Sequence, residues 1–100
     1  GLAGYVAAKG GVLNLTKLLA AEWAPYNITV NAIGPAYFES ELTADLKDDD
    51  TFDQVIQAYC PMERWGRPGE LDGIAIYFAS DASSFCTGQI VHVDGGWTAI

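Results

Sequence analysis

The sequence is poor in the features that would tie it to nucleic acid, to a membrane or to a disulfide framework. Its five basic residues face thirteen acidic ones, giving a formal charge of −8, and the five stand apart from one another. Phosphate backbones are bound by clustered Lys and Arg, so nucleic acid and anionic lipid surfaces are excluded as partners. No apolar run approaches the roughly 20 residues of a membrane-spanning helix, and no basic-then-apolar signal peptide opens the chain. Only two cysteines are present, Cys60 and Cys86, without C-x-x-C spacing. They read as free thiols in a reducing compartment, which places the protein in the cytoplasm. Histidine occurs once, at His92. The one acidic run, Asp45 to Asp50, has no partner cluster beside it and reads as a solvated loop or helix end, with no metal site.

What is present suits a packed α/β structure. Half of the 100 residues are apolar, including three Trp, five Tyr and four Phe. A domain of this size buries only roughly two-thirds of its unfolded surface, so a missing neighbour would be felt. The opening Gly1-Leu2-Ala3-Gly4 carries no initiating Met and reads as the interior of a protein.

Residues 4 to 24 read as one long helix, with Val12, Leu15, Leu19 and Trp23 as its apolar stripe and Pro25 as its stop. Ala7, Ala8, Gly10, Gly11, Ala20, Ala21 and Ala24 leave the rest of its surface low. Ile28 to Ile33 is rich in β-branched residues, as a buried parallel strand would be, and Gly34-Pro35 ends it. Residues 36 to 50 read as loop with one turn of helix. Phe52 to Tyr59 and Glu70 to Ser80 carry helical apolar spacing, the latter through Leu71, Ile74, Ala75 and Phe78. Gln89 to Asp94 is a second strand, closed by the Gly95-Gly96 turn. The order helix, strand, helix, helix, strand is the back half of a doubly wound parallel sheet. Trp23, Trp65 and Trp97 read as packing residues, and His92 as a satisfied or interface side chain.

Tyr5 and Lys9 are the candidate catalytic pair. Four residues apart on a helix, they share a face about 6 Å apart along the axis. A phenol with an ordinary pKa near 10 is a reluctant acid or base at neutral pH. A nearby ammonium stabilises the phenolate and brings proton transfer into range. The ammonium also has three donors with which to grip ribose hydroxyls. Such a pair is common by chance, so its weight depends on the remaining motifs.

Those motifs resemble the short-chain dehydrogenase/reductase family along the whole chain. Tyr5-Val6-Ala7-Ala8-Lys9 is similar to its Tyr-x-x-x-Lys helix. Asn31-Ala32-Ile33-Gly34-Pro35-Ala36 is similar to its Asn-Ala-x-x-Pro-Gly strand and loop. Arg64-Trp65-Gly66-Arg67-Pro68-Gly69-Glu70 is similar to its Arg-x-Gly-x-Pro-x-Glu turn, and Asp94-Gly95-Gly96 to its closing turn. Within the family, the Gly-Pro-x-Tyr-Phe stretch, Phe52-Asp53-Gln54 and Arg64-Trp65-Gly66 most resemble the gluconate 5-dehydrogenase branch.

The resemblance implies the C-terminal part of a doubly wound Rossmann fold, incomplete in this chain, spanning residues 1–100. It implies an enzyme using NAD or NADP to pass hydride between nicotinamide and the carbonyl or secondary alcohol of a sugar acid or polyol such as gluconate. Tyr5 would be the acid or base. Lys9 would tune Tyr5 and hold the nicotinamide ribose. Pro35 would pack near the ring, the Phe38 backbone would meet the carboxamide, and the Ser40 hydroxyl would bond the amide or a phosphate. Asn31 is expected to be a structural hydrogen bonder. A substrate lid is expected over about 36–60, and a homo-oligomer, dimer or tetramer, is expected through the long helix and last strand. The dinucleotide glycine motif and the catalytic serine would lie upstream of Gly1, and the chain alone would be inactive. Two positions depart from the family pattern. Ala36 replaces a glycine, so the backbone there has to avoid positive φ, and Ser40 replaces a threonine.

Two other readings stand beside this one. A truncated, catalytically dead chain would act only as a binding or assembly module. A sugar-nucleotide epimerase or dehydratase would share the Tyr/Lys pair, but the Asn-Ala-x-x-Pro strand and the terminal Asp-Gly-Gly speak against it.

Overall fold

The computed structural model describes residues 2–41, 44 and 49–99, and of Leu2 and Tyr5 it describes the backbone alone. Five regular elements follow one another: α1 (Leu2–Trp23), β1 (Ala32–Pro35), α2 (Asp50–Tyr59), α3 (Asp72–Ala79) and β2 (Ile90–Val93). β1 and β2 pair as a two-stranded sheet. The pairing is parallel: Ala32 N–H donates to the Gln89 carbonyl, and Ala36 N–H, four residues on, donates to the Val93 carbonyl four residues on. Parallel strands joined through helices give the Rossmann-type α/β arrangement expected. Contacts divide the chain into two units, Gly1–Ile33 with Ile76–Val91, and Gly34–Ala75 with His92–Ile100.

In the first unit α1 runs unbroken for 22 residues and passes into a 3-10 turn over Ala24–Tyr26, which Asn27 closes in the left-handed conformation (φ 61°). Its stripe is a correction to the sequence reading. Of that stripe only Leu19 is half-buried; Val12 and Leu15 are each more than half exposed, Trp23 is also exposed, and so is Leu18 beside them. The buried side carries Thr16 and Ala20 instead. Thr16 Oγ1 satisfies itself on the Val12 carbonyl at 2.8 Å. Small residues face inward because backbone comes close there: a Cβ on Gly88 would lie 3.4 Å from the Ala20 Cβ.

The strands also start later than their composition suggests. Before Ala32 one backbone bond between the two segments remains, Gly88 N–H donating to the Val30 carbonyl at 2.7 Å, and side chains take the others. Val30 N–H donates to Thr87 Oγ1 at 3.0 Å, and the Asn31 amide bridges the Cys86 carbonyl and the Gln89 N–H, each at 3.0 Å. Pro35 is the last residue of β1, so the strand stops there as the sequence reading has it. With donors to β2 at every second residue, Pro35 falls on the opposite edge, where its missing N–H removes no bond to β2.

The second unit has the apolar centre. Ile56, Cys60 and Trp65 are buried, with Phe52 and Trp97 packed against them. α2 starts where Asp49 accepts from Thr51 N–H at 2.8 Å, and Asp50 and Asp53 lie in its first turn, where carboxylates complement the helix dipole. The end of the acidic run is thus a helix cap. Its residues 45–48 lie outside the described residues, as do 42 and 43 of the expected loop and helical turn. Tyr37 is the aromatic hub, with ring centroids 6.0 Å from Phe52, 5.8 Å from Trp65 and 5.4 Å from Trp97. Trp65 and Trp97 are packing residues as read. His92 is exposed on β2, its imidazole lying over Gly34.

Residues 64–70 form a clamp. Across the Pro68-Gly69 turn, Glu70 returns to Arg64, which donates to its two oxygens at 2.7 and 2.9 Å. Arg67 N–H donates to the first of those oxygens at 2.7 Å. Arg64 also donates to the Trp65 carbonyl at 3.0 Å. Glu70 is therefore a clamp residue and not the first residue of a helix, and α3 begins at Asp72. The Arg64 hydrogen bonds, followed by that from Arg67, hold the Glu70 carboxyl down at about 2 from an ordinary 4.5.

Two outcomes are expected. Gly95 has φ +63°, and a Cβ there would lie 2.6 Å from the Cys60 sulfur. Gly95→Ala should cost about 2–4 kcal/mol in chemical denaturation, from left-handed backbone plus overpacking; an unchanged midpoint would contradict this packing. Glu70 has a depressed carboxyl, so its stabilisation is complete above pH 4.5 and is lost as pH falls toward 2. Glu70→Gln should flatten the loss of stability across that window, and equal slopes in mutant and parent would refute the clamp.

Candidate active site

The catalytic pair predicted from sequence lies on α1. Tyr5 and Lys9 are one turn apart on a continuous helix, about 6 Å along its axis. The Tyr5 side chain lies outside what is described; Lys9 is exposed. Gly10 and Gly11 follow Lys9, and a Cβ on either would meet nothing within 4 Å. Packing among the described residues does not demand glycine there.

Pro35, Phe38 and Ser40 belong to the second unit. Pro35 ends β1 and is exposed. Ligands in open α/β sheets bind at the carboxyl ends of strands, which is where this loop departs. Ala36 is not among the residues with positive φ, so the replacement of the family's glycine is accommodated without left-handed backbone. Phe38 forms a parallel bridge with Gly66. Gly66 N–H donates to the Tyr37 carbonyl at 2.8 Å, and Glu39 N–H donates to the Gly66 carbonyl at 2.9 Å. In such a bridge the N–H and C=O of the central residue point to the other edge. Phe38 therefore presents one donor and one acceptor, side by side, away from Gly66. Ser40 is exposed two residues further on.

The residues that support this segment escaped the sequence reading. Arg64 and Glu70 are six apart, a spacing no regular helix or strand brings together. The signal was Pro68-Gly69 between them, which turns the chain back on itself. Asp94 is a second such residue. Its carboxylate accepts from Gly96 N–H at 3.0 Å, and from Thr98 N–H at 3.0 Å and Thr98 Oγ1 at 2.7 Å. These bonds, led by the Thr98 hydroxyl, pull its carboxyl below the ordinary value. The Asp-Gly-Gly sequence is thus a capped turn that seats Trp97.

Each unit has a cavity. In the second, about 120 Å³ is lined by Tyr37, Phe38, Ile56, Cys60, Met62 and Trp97, among others. That is well below the ~300 Å³ at which ligand pockets begin. In the first, about 320 Å³ is bounded by Ala24, Asn27, Ile28, Thr29, Ser84, Phe85 and Thr87. It has no charged side chain and lies where the chain enters the strands, the end opposite to that used by ligands in this architecture. Phe38 alone of the five candidate residues lines either cavity. Among the described residues no group of three His, Cys, Asp or Glu could hold a metal ion, and no helix is long and apolar enough to cross a membrane.

Comparison with known proteins places this geometry. The sequence model of the family described as Enoyl-(Acyl carrier protein) reductase matches residues 1–98. The 2-dehydro-3-deoxy-D-gluconate 5-dehydrogenase of Formosa agariphila is 48% identical over 93 residues, which are 92% of this chain and 35% of that protein. The crystal structure of a gluconate 5-dehydrogenase from Burkholderia cenocepacia, in complex with NADP and tartrate, superposes with a TM-score of 0.87 at 47% identity, over 96% of this chain and 38% of that one. A 4-hydroxyisoleucine dehydrogenase complexed with NADH superposes with a TM-score of 0.90 at 36% identity, over 98% and 40%. The chain therefore spans little more than a third of the length of these relatives. With its Tyr-x-x-x-Lys helix, its parallel strand pair and its Asp-Gly-Gly turn, the chain belongs to that reductase family, within the short-chain dehydrogenases/reductases.

Proposed function

We propose that this chain is the C-terminal portion, residues 1–100, of a dehydrogenase that interconverts a carbonyl and a secondary alcohol of a sugar acid such as gluconate. The observation that carries the reading is the placement of Tyr5 and Lys9 one turn apart on an unbroken helix, in a chain whose relatives include sugar-acid dehydrogenases. The cofactor is NAD or NADP, since one relative holds NADP and another NADH. When bound, the nicotinamide gives or takes the hydride. Tyr5 donates a proton to the carbonyl oxygen in reduction and removes it from the alcohol in oxidation. Lys9 stabilises the phenolate and bonds the ribose hydroxyls. The Phe38 N–H and C=O hold the carboxamide, Ser40 bonds the amide or a phosphate, and Pro35 packs near the ring.

Residues from about 36 to 60 form the substrate lid, anchored at its far end by buried Ile56 and Cys60. The exposed Val12, Leu15 and Leu18 of α1 support a homo-oligomer, dimer or tetramer, in which a second copy covers them. Two free thiols support a cytoplasmic setting, and the charge of −8 argues against nucleic acid and anionic membranes as partners.

In the full-length protein, Tyr5→Phe should lower kcat/KM for a keto-sugar acid by about 10²–10⁴-fold, while the dinucleotide Kd from calorimetry stays within about threefold. Full activity in that variant would end the proposal. The 100-residue chain alone should show neither dinucleotide binding nor turnover; if it does bind or turn over, the assignment to a C-terminal portion fails.

A further inference from the structure

We propose that Gly66 is a positioning residue for the dinucleotide, acting through Phe38, and that the Arg64–Glu70 clamp is what keeps it in place. This rests on the reading of residues 38–40 as the nicotinamide-facing segment. The observation is a close approach. A Cβ on Gly66 would lie 2.5 Å from Cδ1 and Cε1 of Phe38 and 2.7 Å from its Cζ. The phenyl ring thus lies on the bare Cα of Gly66, in space that any side chain would fill.

Ring and backbone are held by the same residue. Gly66 donates to the Tyr37 carbonyl and accepts from Glu39 N–H, so the peptide groups on both sides of Phe38 are bonded to it. A methyl group added at Gly66 would be wedged between the ring and the strand that carries it. Carbon atoms rest about 3.5–4.0 Å apart, so the Phe38 ring would have to retreat by about 1 Å. Its Cα can follow only by stretching the two bonds to Gly66. Phe38's outward N–H and C=O would move with it.

Gly66 is itself fixed from both sides. On one side Trp65 is buried, with its carbonyl bonded to Arg64. On the other, Arg67 N–H is bonded to Glu70, which also takes the two bonds from Arg64. The clamp thereby sets where the Phe38 edge stands, though none of its charged groups is assigned a contact with the cofactor.

The test is dinucleotide binding to the full-length protein by calorimetry, without substrate, beside a thermal melt of each variant. Gly66→Ala should raise the dinucleotide Kd about 10-fold, a displacement of this size being able to cost up to about 100-fold. Adding Phe38→Ala, which removes the ring and keeps the backbone, should recover most of that loss, a coupling that a general loss of fold would not show. Glu70→Gln, which intrudes on nothing, should raise Kd about threefold and serves as the readout if Gly66→Ala does not fold. Wild-type affinity in Gly66→Ala, a loss that persists in the double variant, or wild-type affinity in a folded Glu70→Gln when it is the readout, overturns the proposal. Ser40→Ala separates the two layers. If it weakens binding while Gly66→Ala does not, only this inference falls; if it leaves binding unchanged, the nicotinamide-facing reading of residues 38–40 falls, and this inference with it.

Discussion

The second unit depends on one reach: the Glu70 carboxylate bending back over Pro68-Gly69 to take the fork of Arg64 and the N–H of Arg67. A two-pronged guanidinium–carboxylate pair fixes direction as well as distance. Both side chains are about one-third exposed, so the contribution to stability is screened by solvent. Its importance is geometric. It ties the two ends of residues 64–70 together, while Trp65 is held in the core and Gly66 pairs with residues 37 and 39. The loop after β1 then has something to pair with. Without that edge, residues 37–39 would lose the two bonds that pair them with Gly66.

Much of the fold was legible in the sequence because each element carried its own punctuation. The end of α1 was marked by Pro25, α2 by its acidic first turn and by Pro61, and β2 by β-branched residues before Gly95-Gly96. Errors arose where the partner decided the outcome. The stripe through Val12, Leu15, Leu19 and Trp23 has the right period, yet only Leu19 of it is half-buried, because period alone does not say which face is covered within the chain. The close approach of Gly88 selected the small-residue face with Thr16 and Ala20. β1 begins later than Ile28 because its neighbour there is a turn, and side chains of Asn31 and Thr87 carry the bonds. Pro35 is the strand's last residue, as read, and only the partner strand shows that its missing N–H falls on the unpaired edge.

The candidate site was legible in the same uneven way. Tyr5 and Lys9 needed only a helix of known pitch. The Phe38 segment needed its family pattern, since no local rule makes a loop residue present its backbone outward. Gly66 and the Arg64–Glu70 pair needed the three-dimensional arrangement, because what they do is exerted on a segment some 28 residues earlier in the chain. Asp94 belongs to the same class. Its fanned hydrogen bonds to Gly96 and Thr98 are local in sequence, yet what they seat is Trp97, a wall for Tyr37 and Tyr59.

The Asn31 amide has a consequence for how the chain assembles. It bridges positions 55 and 58 residues away, giving to Cys86 and taking from Gln89. Bringing such distant partners together carries a chain-closure entropy of about 3.5 kcal/mol before any bond rewards it. An ordinary four-residue strand tolerates slippage, since neighbouring offsets make similar ladders. Here a shift of one residue breaks both bonds of the amide, and the part-buried half left without the Cys86 carbonyl costs up to about 1–3 kcal/mol. Alignment of the two strands is thus set largely by side chains at their entry, Asn31 with Thr87 beside it, like teeth in a ratchet, and less by the length of the ladder.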